Sequence, residues 1–268
     1  MKKLFFICLM VAFSITSSYA QLKSDEYRFF NHLNAGITLG TDGIGIDVAA
    51  PLTYNFAVRA GYSFMPKFKY SKRIDIGDDP ALTRSDVNIE GKLNMGDFKL
   101  LFDYYPFRKS SFHVTAGAYI GRGTAVEAVN TEPFVEKSYW GTSGLELGTA
   151  MEPYTIVSDA ITGDVKAELK VNSFKPYLGV GFGRAVSKGR IGVQFDLGVQ
   201  FWGRPELWTN IKAIDNETGM IETYYRKVSK NRITNPGKDY QDVRDAMKTI
   251  EKFCVYPVLT LRINGRIF

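Results

Sequence analysis

Residues 191–201 read Ile-Gly-Val-Gln-Phe-Asp-Leu-Gly-Val-Gln-Phe, and the fold follows from how this stretch is divided. Ile191, Val193, Phe195, Leu197, Val199 and Phe201 alternate with Gly192, Gln194, Asp196, Gly198 and Gln200. Successive side chains of a β-strand point to opposite faces, so one face here is wholly apolar and the other polar or small. The same period of two runs through residues 54–64, 112–120 and 259–267, with shorter copies at 33–39, 44–50, 98–104 and 174–182. Eight strands are therefore expected.

Alternation alone fits a soluble sandwich as well as a membrane barrel. Three further features choose between them. The apolar faces carry large residues at nearly every position, whereas the opposite faces carry Gly, Ser, Thr and Asn beside a few charges, as a narrow filled interior requires. The connections also differ in length: 41–43, 52–53, 106–111 and 187–189 are short, and 65–88, 122–173 and 203–253 are long. After the first hairpin the long loops fall on one side and the tight turns on the other, the asymmetry of an outer-membrane barrel with short periplasmic turns and long extracellular loops. Finally, the last strand ends in an aromatic residue, Phe268, although its parity is that of the polar face. The expected fold is all-β: an eight-stranded antiparallel up-and-down transmembrane barrel with long extracellular loops. In the last loop Asn235 and Pro236 form an N-cap and first helical position, and Tyr240, Val243, Met247 and Ile250 recur at helical spacing, which predicts one short amphipathic helix packed on the barrel rim. Residues 163–172 read as a strand extension above the membrane.

Composition agrees with this architecture. The 268 residues are 45% hydrophobic, with 25 Gly, 15 Tyr and 19 Phe. Mean hydropathy is nevertheless −0.14, and after residue 20 no stretch approaches the roughly 20 apolar residues of a spanning helix. The first twenty residues have the layout of a secretory signal: Lys2 and Lys3, an apolar run from Leu4 to Phe13, then small and polar residues ending at Ala20. The expected organisation is a signal peptide at 1–20 and a barrel at 21–268. Ile7 before Cys8 argues against lipid attachment, and Cys254 is the single thiol of the mature chain, so no intrachain disulfide forms. Loss of Lys2 and Lys3 leaves 32 basic residues against 28 acidic, too small an excess to indicate an anionic partner; nucleic acid is not expected for an exported chain.

Several segments resemble a family of small outer-membrane β-barrel proteins of Gram-negative bacteria: LLFDYYPF at 100–107, SFHVTAGAYIG at 111–121, KPYLGVGFGRAV at 175–186, GVQFDLGVQFWGRPE at 192–206 and YPVLTLRINGRIF at 256–268. The resemblance implies an eight-stranded barrel similar to the OmpA-type membrane domain or the OmpW type, in contact with outer-membrane lipid and lipopolysaccharide and inserted by the barrel-assembly machinery. It supplies no catalytic residues. With no peptidoglycan-binding domain after Phe268, cell-wall anchoring is not implied.

The inventory for chemistry is small. His32 and His113 are the two histidines, both near the periplasmic rim, and no His/Cys/Asp cluster has metal spacing, so no enzyme, metal or cofactor is expected. Inward charges are better defined. Arg59, Asp103, His113, Asp196 and Arg262 are expected to form a lumen network, His113 bonding Asp103 and Asp196 pairing with Arg262 on the adjacent strand. Gly179, Gly181 and Gly183 are expected to leave lumen space for bulky neighbours such as Tyr119 and Trp202, or to allow sharp strand coiling. Tyr104, Tyr105, Phe107 and Phe112 form an interfacial girdle around one turn. Lys67, Lys69, Lys72 and Arg73, at the start of the first long loop, are candidate contacts to lipid phosphates. The expected role is structural or interactive at the cell surface, for a monomer; the alternative is a narrow channel or pocket for small hydrophobic compounds, as the OmpW-type resemblance permits.

Overall fold

The computed structural model describes residues 28–66, 69–75, 86–108, 110–133, 135–142, 144–148, 154–187, 189–214, 220–233, 244–245 and 247–267. The signal segment and the proposed cap at Asn235 and Pro236 lie outside them. Among the described residues there are sixteen strands: β1 (Asn34–Gly40), β2 (Gly43–Thr53), β3 (Phe56–Phe64), β4 (Lys69–Asp75), β5 (Asp86–Leu93), β6 (Gly96–Tyr104), β7 (Phe112–Gly121), β8 (Thr124–Asn130), β9 (Gly144–Glu146), β10 (Tyr154–Val157), β11 (Lys166–Lys170), β12 (Phe174–Phe182), β13 (Ile191–Phe201), β14 (Glu206–Ile214), β15 (Ile221–Lys227) and β16 (Val255–Arg266).

Eight of them close into an antiparallel barrel in the order β1-β16-β13-β12-β7-β6-β3-β2, and these are the eight read from alternation. The last strand closes the barrel on the first, with Ile37 opposite Ile263 and Thr38 opposite Arg262. Register places the two faces as the sequence requires. Along β13 the apolar Ile191, Val193, Phe195 and Leu197 are exposed, while Gln194, Asp196 and Gln200 are buried. An outward belt of Ile37, Ile46, Phe98, Phe102, Leu178 and Phe195 in a water-facing protein would leave a large apolar surface uncovered; against hydrocarbon it is matched. Eleven residues of β13 rise about 36 Å along the strand, or roughly 28 Å across a bilayer at the tilt of about 40° usual for small barrels. The chain is a transmembrane β-barrel.

The remaining strands form a second sheet, β4-β5-β8-β11-β14-β10-β9, with β15 on β14. Its order is inherited from the barrel. β3 runs on into β4, β5 into β6, β7 into β8, β11 into β12 and β13 into β14, so five adjacent barrel strands continue past the lipid belt as an open wall. β11 is the strand extension expected at 163–172. Among the described residues no strand continues β1, β2 or β16 in this way: β1 and β2 are joined by the tight Thr41–Asp42 turn, and β16 is entered from the helical segment at 247–250. Leu147, Tyr154, Ile211, Ala213, Val228, Ile233 and Met247 form the core of this sheet. Residues 244–245 and 247–250 are helical, and Met247 packs the helix into that core rather than on the barrel rim as expected. The rim itself lies under a separate cluster of Met95, Ala125, Val171 and Trp202.

An unheated sample in dodecyl sulfate should migrate differently from a boiled one, because closure pairs every barrel strand on both edges and leaves no edge from which detergent can peel the sheet. Identical migration, together with solubility in detergent-free buffer, would refute the membrane barrel.

Candidate functional site

The inward faces bring the predicted residues together, with different partners from those expected. Arg59 crosses the lumen from β3: Nη1 donates to Asp196 Oδ2 at 2.8 Å and Nη2 to Asp103 Oδ1 at 2.8 Å. His113 Nε2 lies 2.7 Å from Asp196 Oδ1, not against Asp103. Asp103 instead accepts from Thr115 Oγ1 at 2.7 Å, because β6 and β7 place Thr115, not His113, opposite it. Arg262 is likewise not paired with Asp196. Its Nε donates to Asp47 Oδ1 at 2.7 Å, and the residue opposite it on β13 is Gln194. Gln194 joins the two halves, reaching Arg262 through Oε1 at 3.4 Å and His113 Nε2 through Nε2 at 3.0 Å. All of these groups are buried. An isolated charge in such a place costs several kcal/mol, so each ion here is neutralised by one that reaches it across the barrel.

Nearer the extramembrane sheet, Lys175 Nζ donates to both oxygens of Asp97 at 2.7 and 2.9 Å, and Lys99 Nζ donates to Thr38 Oγ1 at 3.1 Å. Beside these charges Leu101, Tyr119, Tyr177 and Val258 form a buried apolar cluster. Trp202 stacks on Tyr256 above it, centroids 4.5 Å apart. The glycines make room, but for other residues than expected. A Cβ at Gly181 would sit 2.6 Å from His113 Nε2, and one at Gly179 or Gly198 would strike the Tyr177 hydroxyl at 2.6 or 2.5 Å.

Sequence reading missed the closure at the opposite end. The connection after β12 is not a tight turn: at Gly183, φ is +108°, a backbone that L side chains rarely adopt, and the chain folds into the barrel mouth. Ala185, Val186 and Ser187 are buried there with Ala49, Ala57 and Tyr105. Arg262 Nη1 donates to Ala185 O at 2.9 Å, and Ala185 N donates to the Tyr105 hydroxyl at 2.8 Å. Asn34 and Arg266 hold Ser187. Tyr105, placed by sequence in the interfacial girdle, therefore points inward; Tyr104 and Phe107 remain exposed on the outside.

On the extramembrane sheet, pleat parity puts Glu168, Lys170, Trp208 and Tyr225 on the face away from the Ile211 core. Lys170 lies 4.1 Å from the Trp208 ring centre and 4.7 Å from that of Tyr225. Lys166 bridges Glu168 at 2.7 Å and Glu127 at 3.2 Å, and the hydrogen bond to Glu168 raises the Lys166 ammonium above its usual range. Lys227 lies 2.6 Å from Glu206 and holds that carboxyl below its usual range. Of the lipid-phosphate candidates, Lys69 and Arg73 are exposed on edge strand β4 and Lys69 lies 3.3 Å from Glu90; Lys72 is on the same strand, and Lys67 is outside the described residues. Among the described residues no group of three or more His, Cys, Asp or Glu could hold a metal ion.

Fold and interior together define a small transmembrane barrel of the eight-stranded architecture that the family resemblance implied. No family model matches the chain, and no curated protein matches it. Among solved structures it is similar to Acinetobacter baumannii CarO, with 17% identity over 87% of this chain and 96% of that one and a TM-score of 0.46. It is also similar to A. baumannii CarO2, with 15% identity over 88% and 98% and a TM-score of 0.47.

Thermal unfolding of single and double variants tests the corrected pairing. Arg59→Ala alone should cost about 3–5 kcal/mol, since it strands two buried carboxylates. The Arg59/Asp196 cycle should be strongly non-additive and the Asp196/Arg262 cycle nearly additive; the reverse order would refute the network. A Cβ at Gly36 would sit 2.6 Å from Arg262 Nε, so Gly36→Ala should destabilise by about 1–3 kcal/mol, and an unchanged melting temperature would contradict it.

Proposed function

We propose that the protein resides in the outer membrane of a Gram-negative bacterium, with the β4–β15 sheet at the cell surface, and that its role there is structural or interactive rather than conductive. The observation that carries this reading is the sequence of buried layers along the lumen. The ion network around Arg59, the Leu101–Tyr119–Tyr177–Val258 cluster and the in-folded 183–187 segment occupy the interior, each held by its own contacts. Solute would have to displace paired charges and packed aromatics in turn. The signal-like first twenty residues and the placement of the long connections on one side support the location. Lipopolysaccharide is the natural neighbour of the exposed Lys69 and Arg73. A monomer suffices, since the barrel is closed by its own strands.

The purified barrel in planar bilayers should give no sustained conductance, and a stable open level in most insertions would overturn the reading. Protease added to intact cells should cut in the connections of the second sheet while leaving a membrane-protected core. Complete resistance before cell lysis would put the sheet on the wrong side.

A further inference from the structure

The two ends of the barrel differ in how their charges are arranged. In the extramembrane sheet Glu90, Glu127, Glu168 and Glu206 each lie within 3.3 Å of a lysine ammonium, so that surface is an interleaved ladder of both signs. The end with the short turns is made of residues 28–33, 51–55, 105–111, 183–190 and 264–267, which contain no Asp or Glu. They do contain Arg28, Arg108, Arg184, Arg190 and Arg266, with Lys109 and Lys188 in the same turns; Asp25 and Glu26 precede them in the chain, outside the described residues. The five arginines come from four separate segments, and barrel closure gathers them into one ring.

Large apolar residues, most of them aromatic, stand among them. Phe29, Phe30, Phe107 and Ile267 are exposed at this end. The Tyr54 hydroxyl donates to Arg108 O at 3.0 Å, and the Arg184 guanidinium lies 5.1 Å from the Tyr54 ring centre and 4.8 Å from that of Tyr105. Exposed aromatic residues just past the lipid-facing strands sit where hydrocarbon meets headgroups. Guanidinium groups at the same level match the oxygens of a phosphate in geometry as well as charge.

We infer that this ring is a binding surface for the phosphate headgroups of anionic phospholipids in the periplasmic leaflet. The assignment rests on the outer-membrane reading for its sidedness. A lipid surface is the occupant because the ring is continuous with the lipid-facing belt and lies at its border, within reach of headgroups without any further partner. The exposed Arg108 and Arg190 do the recognising. Arg184, held against two tyrosines, contributes fixed charge near the mouth.

The test uses the full mature chain refolded into nanodiscs of mixed phosphatidylglycerol and phosphatidylethanolamine, with retained lipid counted by native mass spectrometry. Wild type should retain phosphatidylglycerol several-fold over its share of the mixture. Arg108→Gln/Arg190→Gln should bring retention close to that share, and Lys92→Gln/Lys227→Gln, on the extramembrane sheet and paired there with Glu90 and Glu206, should leave it unchanged. Equal retention of the two lipids by wild type would overturn the inference, as would a preference abolished by the sheet variant instead. Binding of a soluble acidic muropeptide at the ring, with no lipid preference, would assign it to the cell wall and also overturn it. Heat-dependent gel mobility of each variant is read in parallel: its loss in wild type would mark failure of the membrane-barrel reading, while its retention in both variants shows that lost lipid preference is not lost folding.

Discussion

Inside a hydrocarbon layer no water is present to satisfy a peptide group, so every backbone N–H and C=O of a spanning strand must find another strand. That requirement forces the eight alternating segments to close on themselves, and the β1–β16 pairing completes the circle. Closure in turn fixes the size of the interior: eight strands leave a bore only wide enough for side chains. The polar residues that alternation sends inward must then satisfy one another. The Arg59 fork on Asp103 and Asp196, the Arg262–Asp47 pair and the Lys175–Asp97 pair follow from this confinement.

The same confinement explains which parts of the structure were legible in sequence. All eight barrel strands follow from period two, because lipid and lumen enforce it on every residue. The membership of the lumen network was legible as well, since parity alone sends Arg59, Asp103, His113, Asp196 and Arg262 inward. Their pairing was not. Judging partners by height along neighbouring strands assigned Arg262 to Asp196, but β13 and β16 are offset so that Thr260 faces Asp196 and Gln194 faces Arg262. A long arginine in a narrow bore also reaches the far wall as easily as the adjacent one, and sequence order carries no information about the far wall.

The second sheet and the plug at the barrel mouth were largely hidden for different reasons. In β4 and β8 a charge interrupts the apolar residues at alternate positions (Tyr70, Lys72, Ile74; Ala125, Glu127, Val129), so no apolar stripe announces them, and β11 was legible only as an extension of its barrel strand. Residues 187–189 looked like a tight turn because Gly, Ser and Lys are turn residues wherever they point. Only the carbonyl of Ala185 meeting Arg262, and its amide meeting Tyr105, reveal that the segment folds inward. Tyr105 was misplaced for the same reason: an aromatic beside a turn reads as interfacial until the turn acquires a buried partner for it.

The one-sided continuation of the wall bears on how the barrel is made. The strands that carry the outer sheet are β3, β6, β7, β12 and β13, contiguous around the circumference, while the seam joins β1 to β16 among the strands that carry none. Most of the extramembrane sheet thus lies away from the place where the chain is sealed, and what stands beside the seam is the helix-bearing connection that leads into β16. With the sheet carried to the cell surface as proposed, that connection is the one long segment that has to clear the seam before β1 and β16 pair.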